Sequence, residues 1–316
     1  MKLTFLGTSS GAPSRYRNVS ALALQLPQQA GAWLFDCGEG TQHQIMRSAL
    51  RVSQFDRIFI SHMHGDHVFG LPGLLASRSL QAGMSTPLTL FGPPGLQEYI
   101  RRTMELTQTR PGYPMEVITV APGLIWEDDR TQVFCTPVAH RIPAFAYAVV
   151  ERDHAGHFNV EAAAALGIAP GPIYGRLKKG ETVTLEDGRI IDGRTLTGPI
   201  RRGRRVVYAG DTTFTRNTVE IARGADVLIH EATYLEEDRA LADRASHSTS
   251  LMAADAAKQA GVRTLILTHF STRYEGEGGS RLAELLAEAQ AVFPNTLLAR
   301  DLWSCDVAAP DEALSG

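Results

Sequence analysis

The run Ser61-His62-Met63-His64-Gly65-Asp66-His67 places three imidazoles and a carboxylate within six consecutive positions. It follows directly on Arg57-Ile58-Phe59-Ile60, a short apolar run with strand character. In an extended chain residues i and i+2 point the same way, so His62 and His64 can converge on one cation. Gly65 then permits a sharp turn, and Asp66 and His67 can be aimed at a second cation from the start of a helix. Imidazole together with carboxylate suits zinc, manganese or iron better than magnesium or calcium, which prefer oxygen shells. One histidine at a strand end is most often structural; three beside an aspartate point to metal.

A two-metal centre needs about four donors per ion, so other strand ends must contribute. His140 follows the apolar run Val133–Thr136, Asp211 follows Val206–Ala209 and Gly210, and His269 follows Thr264–Thr268. A carboxylate such as Asp211 can bridge two ions through its two oxygens. Two more segments carry acid–base residues: His230-Glu231-Ala232-Thr233 after Val227–Ile229, and Ser246-His247-Ser248-Thr249 at a helix start. Glu231 could orient His247 and raise its pKa, making it a general acid for a departing alkoxide. The alternative is that Ser/Thr there caps the helix and His247 is a bystander.

These residues must be held by a framework. Strand-like runs occur at Leu3–Leu6, Ala21–Leu26, Trp33–Phe35, Ile58–Ile60, Leu88–Phe91, Val133–Thr136, Phe145–Val150, Val206–Ala209, Val227–Ile229, Leu265–Leu267 and Thr296–Ala299. Helical patterns lie at Thr41–Leu50, Gly70–Leu80, Gly95–Leu106, Thr249–Ala260 and Ser280–Val292. The pattern predicts one α/β domain over 1–316, an αββα sandwich with two sheets face to face and helices outside. Residues 154–205 break the pattern with Gly, Pro and charge, and show no apolar period from which to build a core. They read either as a tolerated solvated insertion or as a protruding flexible arm that grips a large substrate.

Composition bounds the partners. The chain has 316 residues, 44% hydrophobic and 21% charged, which gives no reason to invoke disorder or a fibre. A net charge of -3 argues weakly against a nucleic-acid partner. Charge is nonetheless locally basic at Arg201-Arg202-Gly203-Arg204-Arg205 and at Arg176, Lys178 and Lys179. No apolar run approaches the ~20 residues of a membrane span. Three scattered cysteines make a disulfide framework improbable and a reducing cytoplasm the default location.

His62-x-His64-x-Asp66-His67, His140, Gly210-Asp211-Thr212 and Thr268-His269 resemble, in order, the motifs of the metallo-β-lactamase superfamily, whose fold is the αββα sandwich. The resemblance implies one metal held by His62, His64, His140 and Asp211, and a second by Asp66, His67, Asp211 and His269. The His-Glu-Ala-Thr and His-Ser-Thr segments, Phe270–Tyr274 and Ala299–Leu302 narrow the resemblance to the RNase Z family, in its short bacterial form. That family removes the 3′ trailer from precursor tRNA. The likeness implies two divalent ions, zinc or manganese, with Asp66, His247 and Glu231 as catalytic residues. It implies a tRNA-binding arm at 154–205 carrying Arg176, Lys178 and Lys179, a homodimer, and RNA contacts from Arg15, Arg17, Asn18 and Arg273. The substrate loop Pro13-Ser14-Arg15-Tyr16-Arg17-Asn18 departs from the family's usual Pro-x-Lys-x-Arg-Asn at Arg15, which bears on precursors already carrying CCA. Two rivals remain at this stage. One is another superfamily hydrolase acting on a small ester, such as a phosphodiesterase, arylsulfatase or lactonase. The other is a non-catalytic, metal-stabilised RNA-binding protein.

Overall fold

A computed structural model describes residues 1–309, apart from 28, 30, 82–85, 155 and 277–278. The strands in chain order are β1 (Lys2–Gly7), β2 (Ala21–Gln25), β3 (Ala32–Phe35), β4 (Phe55–Phe59), β5 (Leu88–Gly92), β6 (Met115–Thr119), β7 (Gly123–Glu127), β8 (Thr131–Val138) and β9 (Ala144–Glu151). They continue with β10 (Thr182–Thr184), β11 (Ile190–Asp192), β12 (Arg205–Tyr208), β13 (Val227–Glu231), β14 (Thr264–Thr268), the short pair β15 (Glu275–Gly276) and β16 (Gly279–Ser280), β17 (Thr296–Leu298) and β18 (Ser304–Asp306). The chain divides into two compact units, one of residues 1–150 and 205–307, the other chiefly of residues 151–204.

The larger unit holds two seven-stranded sheets, ordered β18-β1-β2-β3-β4-β5-β6 and β17-β14-β13-β12-β9-β8-β7. Side chains alternate faces along a strand, and these strands are apolar on both. From the first sheet Phe5, Trp33, Phe35, Phe59 and Phe91 point toward the second, where they meet Val133, Tyr147, Val206, Tyr208 and Ile229. The rings of Phe35, Phe59 and Phe91 stack in series at 5.0 Å. The alternate residues Leu34, Ile58, Ile60 and Leu90 turn outward and pack on Leu71, Leu74, Leu75 and Ile100 of the covering helices. On the far side Val207, Leu228, Leu265 and Leu267 pack on Ala253, Ala257 and Leu285. Each such buried side chain contributes about 1.5–3 kcal/mol, so the two sheets form a rigid mount. The αββα architecture expected from the sequence is the one observed.

The edge strands β6, β7 and β18 escaped sequence reading. Met115–Thr119 and Gly123–Glu127 are only half-buried or exposed along their length, so they lack a continuous apolar run. The five helical patterns recur as helices at Thr41–Arg47, Leu71–Gln81, Leu96–Leu106, Ser250–Ala260 and Leu282–Val292.

The smaller unit corrects one expectation. Residues 151–204 do carry a core: Phe158, Ala163, Ile168, Leu177, Val183, Ile191 and Leu196 are buried against one another. Two short helices, Val160–Ala165 and Pro172–Lys178, and the β10–β11 hairpin supply Ala163, Leu177, Val183 and Ile191, while Phe158, Ile168 and Leu196 come from the short segments around them. No single element is long enough to show a period, which is why the core was invisible in the sequence. Asn159 caps the first helix by accepting the Ala162 N–H at 2.8 Å, and Pro172 begins the second, where its missing N–H costs nothing.

Candidate metal centre

The site lies where chain leaves the C-terminal ends of the parallel strands, the usual ligand position in such sheets. Ser61–His64 follow β4, Asp211 follows β12, Glu231 ends β13 and His269 follows β14. Gly210 sits in the left-handed region (φ +63°), and a Cβ there would stand 2.8 Å from that of Ser61. A glycine is therefore required for the Asp211 loop to approach the histidine run. His269 and Asp36 also take positive φ, 59° and 56°, a strained conformation for residues with a side chain.

His62, His64 and His140 bring one ligand atom each within 4.8 Å of one another, as do Asp66, His67, Asp211 and His269. His62 Nε2 and His140 Nε2 lie 2.9 and 3.1 Å from His64 Nδ1. Asp211 Oδ2 joins the groups, 3.6 Å from His62 Nε2 and 3.3 Å from both His67 Nε2 and His269 Nε2. Asp66 Oδ2 lies 3.5 and 3.3 Å from the same two nitrogens. Donors ~2.1 Å from a common tetrahedral centre stand ~3.4 Å apart, close to these separations.

Most of these rings are held from behind. His67 Nδ1 bonds Asp36 Oδ2 at 2.7 Å, His140 Nδ1 donates to the Ser246 carbonyl at 2.8 Å, and His269 Nδ1 meets Thr233 Oγ1 at 3.0 Å. His67 Nε2 is buried with no hydrogen-bond partner among the described residues. A ring fixed at one nitrogen and bare at the other is the arrangement a metal ligand requires.

Electrostatics agree with that chemistry. Burial, then His67, takes His62 well below the ordinary imidazole range, and burial lowers His64 and His140. Burial opposes ionisation of Asp66 and Asp211, but the surrounding histidines outweigh it and hold both carboxyls low. At His67 burial is outweighed by Asp211, Asp36 and Asp66, which raise its pKa well above 6.5. Asp36 holds Nδ1 while Asp66 and Asp211 face Nε2, so a cation at Nε2 would take the place of a proton there.

Beside the donors lies an acid–base pair. His247 Nδ1 bonds Glu231 Oε1 at 2.6 Å. Glu231 is fully buried and also accepts Thr233 Oγ1 at 2.6 Å and the Thr212 N–H at 3.1 Å. Burial disfavours the imidazolium, but Glu231 overrides it and raises the His247 pKa to about 9. Thr249 caps the following helix through Met252 N, while His247 reaches inward. The helix cap and the Glu231–His247 hydrogen bond are thus both present, on neighbouring residues.

The expected RNA contacts divide. Arg15 is exposed on its loop. Arg17 is largely enclosed: its Nε pairs with Glu275 at 2.5 Å, its Nη1 reaches Thr8 Oγ1 and the Ala299 carbonyl, and its guanidinium covers the Phe270 ring. Asn18 turns inward, its amide donating to the Glu39 carbonyl at 2.7 Å and its backbone N–H to Asp301. Arg273 lies over Tyr234 and 3.4 Å from Asp238. In the smaller unit Arg176 pairs with Glu181 at 2.9 Å, whereas Lys178 and Lys179 are exposed.

Sequence reading missed Asp36. Its two oxygens take the Ser61 N–H and Oγ–H, the Tyr208 hydroxyl and His67 Nδ1, all at 2.7 Å. The signal was available, because Asp36 follows the apolar run Trp33–Phe35 as the other candidates follow theirs. Thr233 was likewise present in the His-Glu-Ala-Thr segment but received no role.

Comparison with known proteins supports this picture. A family described as "Anti-Pycsar protein Apyc1" matches residues 1–108, and one described as "Beta-lactamase superfamily domain" matches residues 183–270. A ribonuclease Z from Gloeothece citriformis is 54% identical over 97% of this chain and 96% of its own. One from Picosynechococcus sp. is 56% identical over 96% of each. The crystal structure of the short form of human tRNase Z superposes with a TM-score of 0.71 at 30% identity, covering 98% of this chain and 100% of that one. With the sandwich, the donor groups and near-complete coverage in agreement, the chain belongs to the ribonuclease Z family.

Proposed function

We propose that this enzyme, a hydrolytic nuclease, cuts precursor tRNA after the discriminator nucleotide, leaving a 3′-hydroxyl on the tRNA and a 5′-phosphate on the trailer. The observation that carries the reading is the Glu231–His247 pair beside two donor groups, with Asp211 in one and its Oδ2 3.6 Å from His62 Nε2 of the other. A small-ester hydrolase with good leaving groups has no need of that acid, and a structural zinc site is usually closed and mononuclear.

The bare, buried His67 Nε2 and the donor spacing fit divalent ions. His62, His64, His140 and Asp211 would hold one, and Asp66, His67, Asp211 and His269 the other. Zinc suits this imidazole-rich set best, with manganese accepting the same donors. When bound, the ions supply Lewis acidity toward phosphate oxygens and lower the pKa of water from ~15.7 to near 7.

The protein groups then do the following. Asp66, ionised and fixed by the Gly11 N–H at 2.8 Å, accepts a hydrogen bond or proton from the attacking water. His247, charged below about pH 9, gives its proton to the departing 3′-oxygen. Glu231 holds the ring in one orientation and stabilises the imidazolium between turnovers. Thr233 fixes Glu231 and the His269 ring together, tying acid to donor.

Residues 154–205 would act as an arm holding the tRNA body, with Lys178 and Lys179 on phosphates and Arg176 moderated by Glu181. In the N-terminal loop Arg15 would reach RNA. Arg17 and Asn18 shape the loop from inside, and Arg273 presents its guanidinium beside Tyr234. The chain would work as a homodimer in the cytoplasm, where its substrate is made. Among the described residues no helix is long and apolar enough to cross a membrane. Light scattering at working concentration checks the dimer.

The test is incubation of the loaded protein with a 3′-extended precursor tRNA, with and without chelator, followed by end analysis of both fragments. Cleavage after the discriminator with 3′-hydroxyl and 5′-phosphate ends, lost on chelation, is expected. Hydrolysis of small esters without cleavage of the precursor would overturn the reading.

A further inference from the structure

A cavity of about 470 Å³ opens over the donor groups, lined by His64, Asp66, Asp211 and His247. Two of its other lining residues have no part in the chemistry described so far, Phe69 and Arg141. Phe69 is 63% exposed and joins none of the apolar clusters. Its placement is nonetheless specific. A Cβ on Gly65 would stand 2.1–2.7 Å from three of its ring atoms, so the ring rests on a residue that lies between His64 and Asp66. Arg141 directly follows His140 and is exposed, and among the described residues it is the only lysine or arginine lining the cavity. It makes no ion pair among the described residues. In the same unit Arg17, Arg57 and Arg263 are matched by Glu275, Asp56 and Asp226.

An exposed aromatic ring held in place and an uncompensated guanidinium, both at the mouth of a phosphodiester-cleaving centre, match the two halves of a nucleotide. We propose that Phe69 and Arg141 form a nucleotide clamp on the single-stranded segment that carries the scissile bond. Phe69 stacks on the base of a nucleotide flanking that bond, and Arg141 takes a neighbouring backbone phosphate. The cavity's volume, about 470 Å³, is within the range of pockets that take a small ligand such as one nucleotide. Stacking tolerates any base, so the clamp fixes the strand without reading its sequence, while the tRNA body selects the substrate. The inference rests on the tRNA-processing reading above.

The experiment uses metal-loaded protein and precursor tRNAs carrying 2-aminopurine at the discriminator or at the first trailer nucleotide. Rapid mixing reads the fluorescence before cleavage. Wild type should quench the probe at one of these positions; Phe69→Ala should lose the quench and weaken binding about 10-fold, and Phe69→Trp should restore both. Arg141→Met should lower the slope of log affinity against log salt by about 0.7, and Arg141→Lys should keep it. Absence of quenching at both positions, or Phe69→Ala and Arg141→Met indistinguishable from wild type, would overturn the clamp while cleavage by wild type upholds the enzyme's assignment. Failure of wild type to cleave the precursor would remove both.

Discussion

The donor cluster and the inserted unit both contain charged side chains, but they hold them in opposite ways. Around the cluster, partners come from distant parts of the chain: His67 with Asp36, Tyr208 with Asp36, His247 with Glu231, Asn18 with Asp301. All but the last are buried pairs, so each group is fixed by bonds that would be costly to leave unmade. Within the insertion Arg176–Glu181, Arg189–Asp187 and Arg194–Asp192 are local and exposed, whereas Arg204–Glu151, at its two ends, is long-range and part-buried. The exposed pairs compete with water and constrain little. Preorganisation suits the catalytic role proposed for the cluster, and adaptable charge would suit the tRNA-holding role proposed for the insertion.

The comparison can be broken at several points. The largest effect is expected from Asp66→Ala, which should lower the cleavage rate by more than about 10³-fold with tRNA affinity nearly kept. A binding assay beside single-turnover kinetics checks it. His247→Ala should cost about 10²–10⁴-fold on precursor tRNA and far less on bis(p-nitrophenyl) phosphate, whose leaving group needs no proton. Equal losses on both substrates would remove His247 from the acid role.

Asp36→Asn keeps the size of the side chain but weakens the anchor of His67. Metal affinity should fall about 10–100-fold by titration with a competing chelator, and unchanged affinity would contradict the buried-anchor account.

Glu231→Gln tests direction. Glu231 raises the His247 pKa to about 9, so the acid is available below that pH and lost above it. Removing the carboxylate's charge should move the basic limb of the rate profile to lower pH on RNA. A limb that stays in place would show that another group titrates there. At the small end, Arg194→Ala in the insertion should leave the melting temperature unchanged within error, since its pair with Asp192 is exposed. A clear drop in calorimetry would show that this unit, too, relies on its charges.

The same contrast explains what the sequence revealed. His62, His64, Asp66, His67, His140, Asp211 and His269 were legible because each directly follows or shortly trails an apolar strand, and the structure brings all seven together. The sandwich was legible because its central strands are apolar on both faces. Asp36 was overlooked although it follows an apolar strand just as Asp211 does. Its four hydrogen bonds come from three residues, Ser61 and His67 of the histidine run and Tyr208 of a distant strand, which only the fold brings together. The core of the insertion was hidden for a related reason, since Phe158, Leu177, Ile191 and Leu196 lie on four different short segments. Arg17 is expected as an RNA contact from the likeness of its loop to the family's substrate loop, and in the structure Glu275 and the Phe270 ring enclose it. Only the fold supplies those neighbours.

The central claim is a two-ion centre joined through Asp211, and metal titration of the chelator-stripped protein tests it most directly. Wild type should take up two zinc ions per chain, with precursor cleavage rising as the second site fills. Asp211→Ala should weaken both sites and abolish cleavage. Full activity with one ion per chain, or Asp211→Ala retaining two ions at wild-type affinity, would contradict the account.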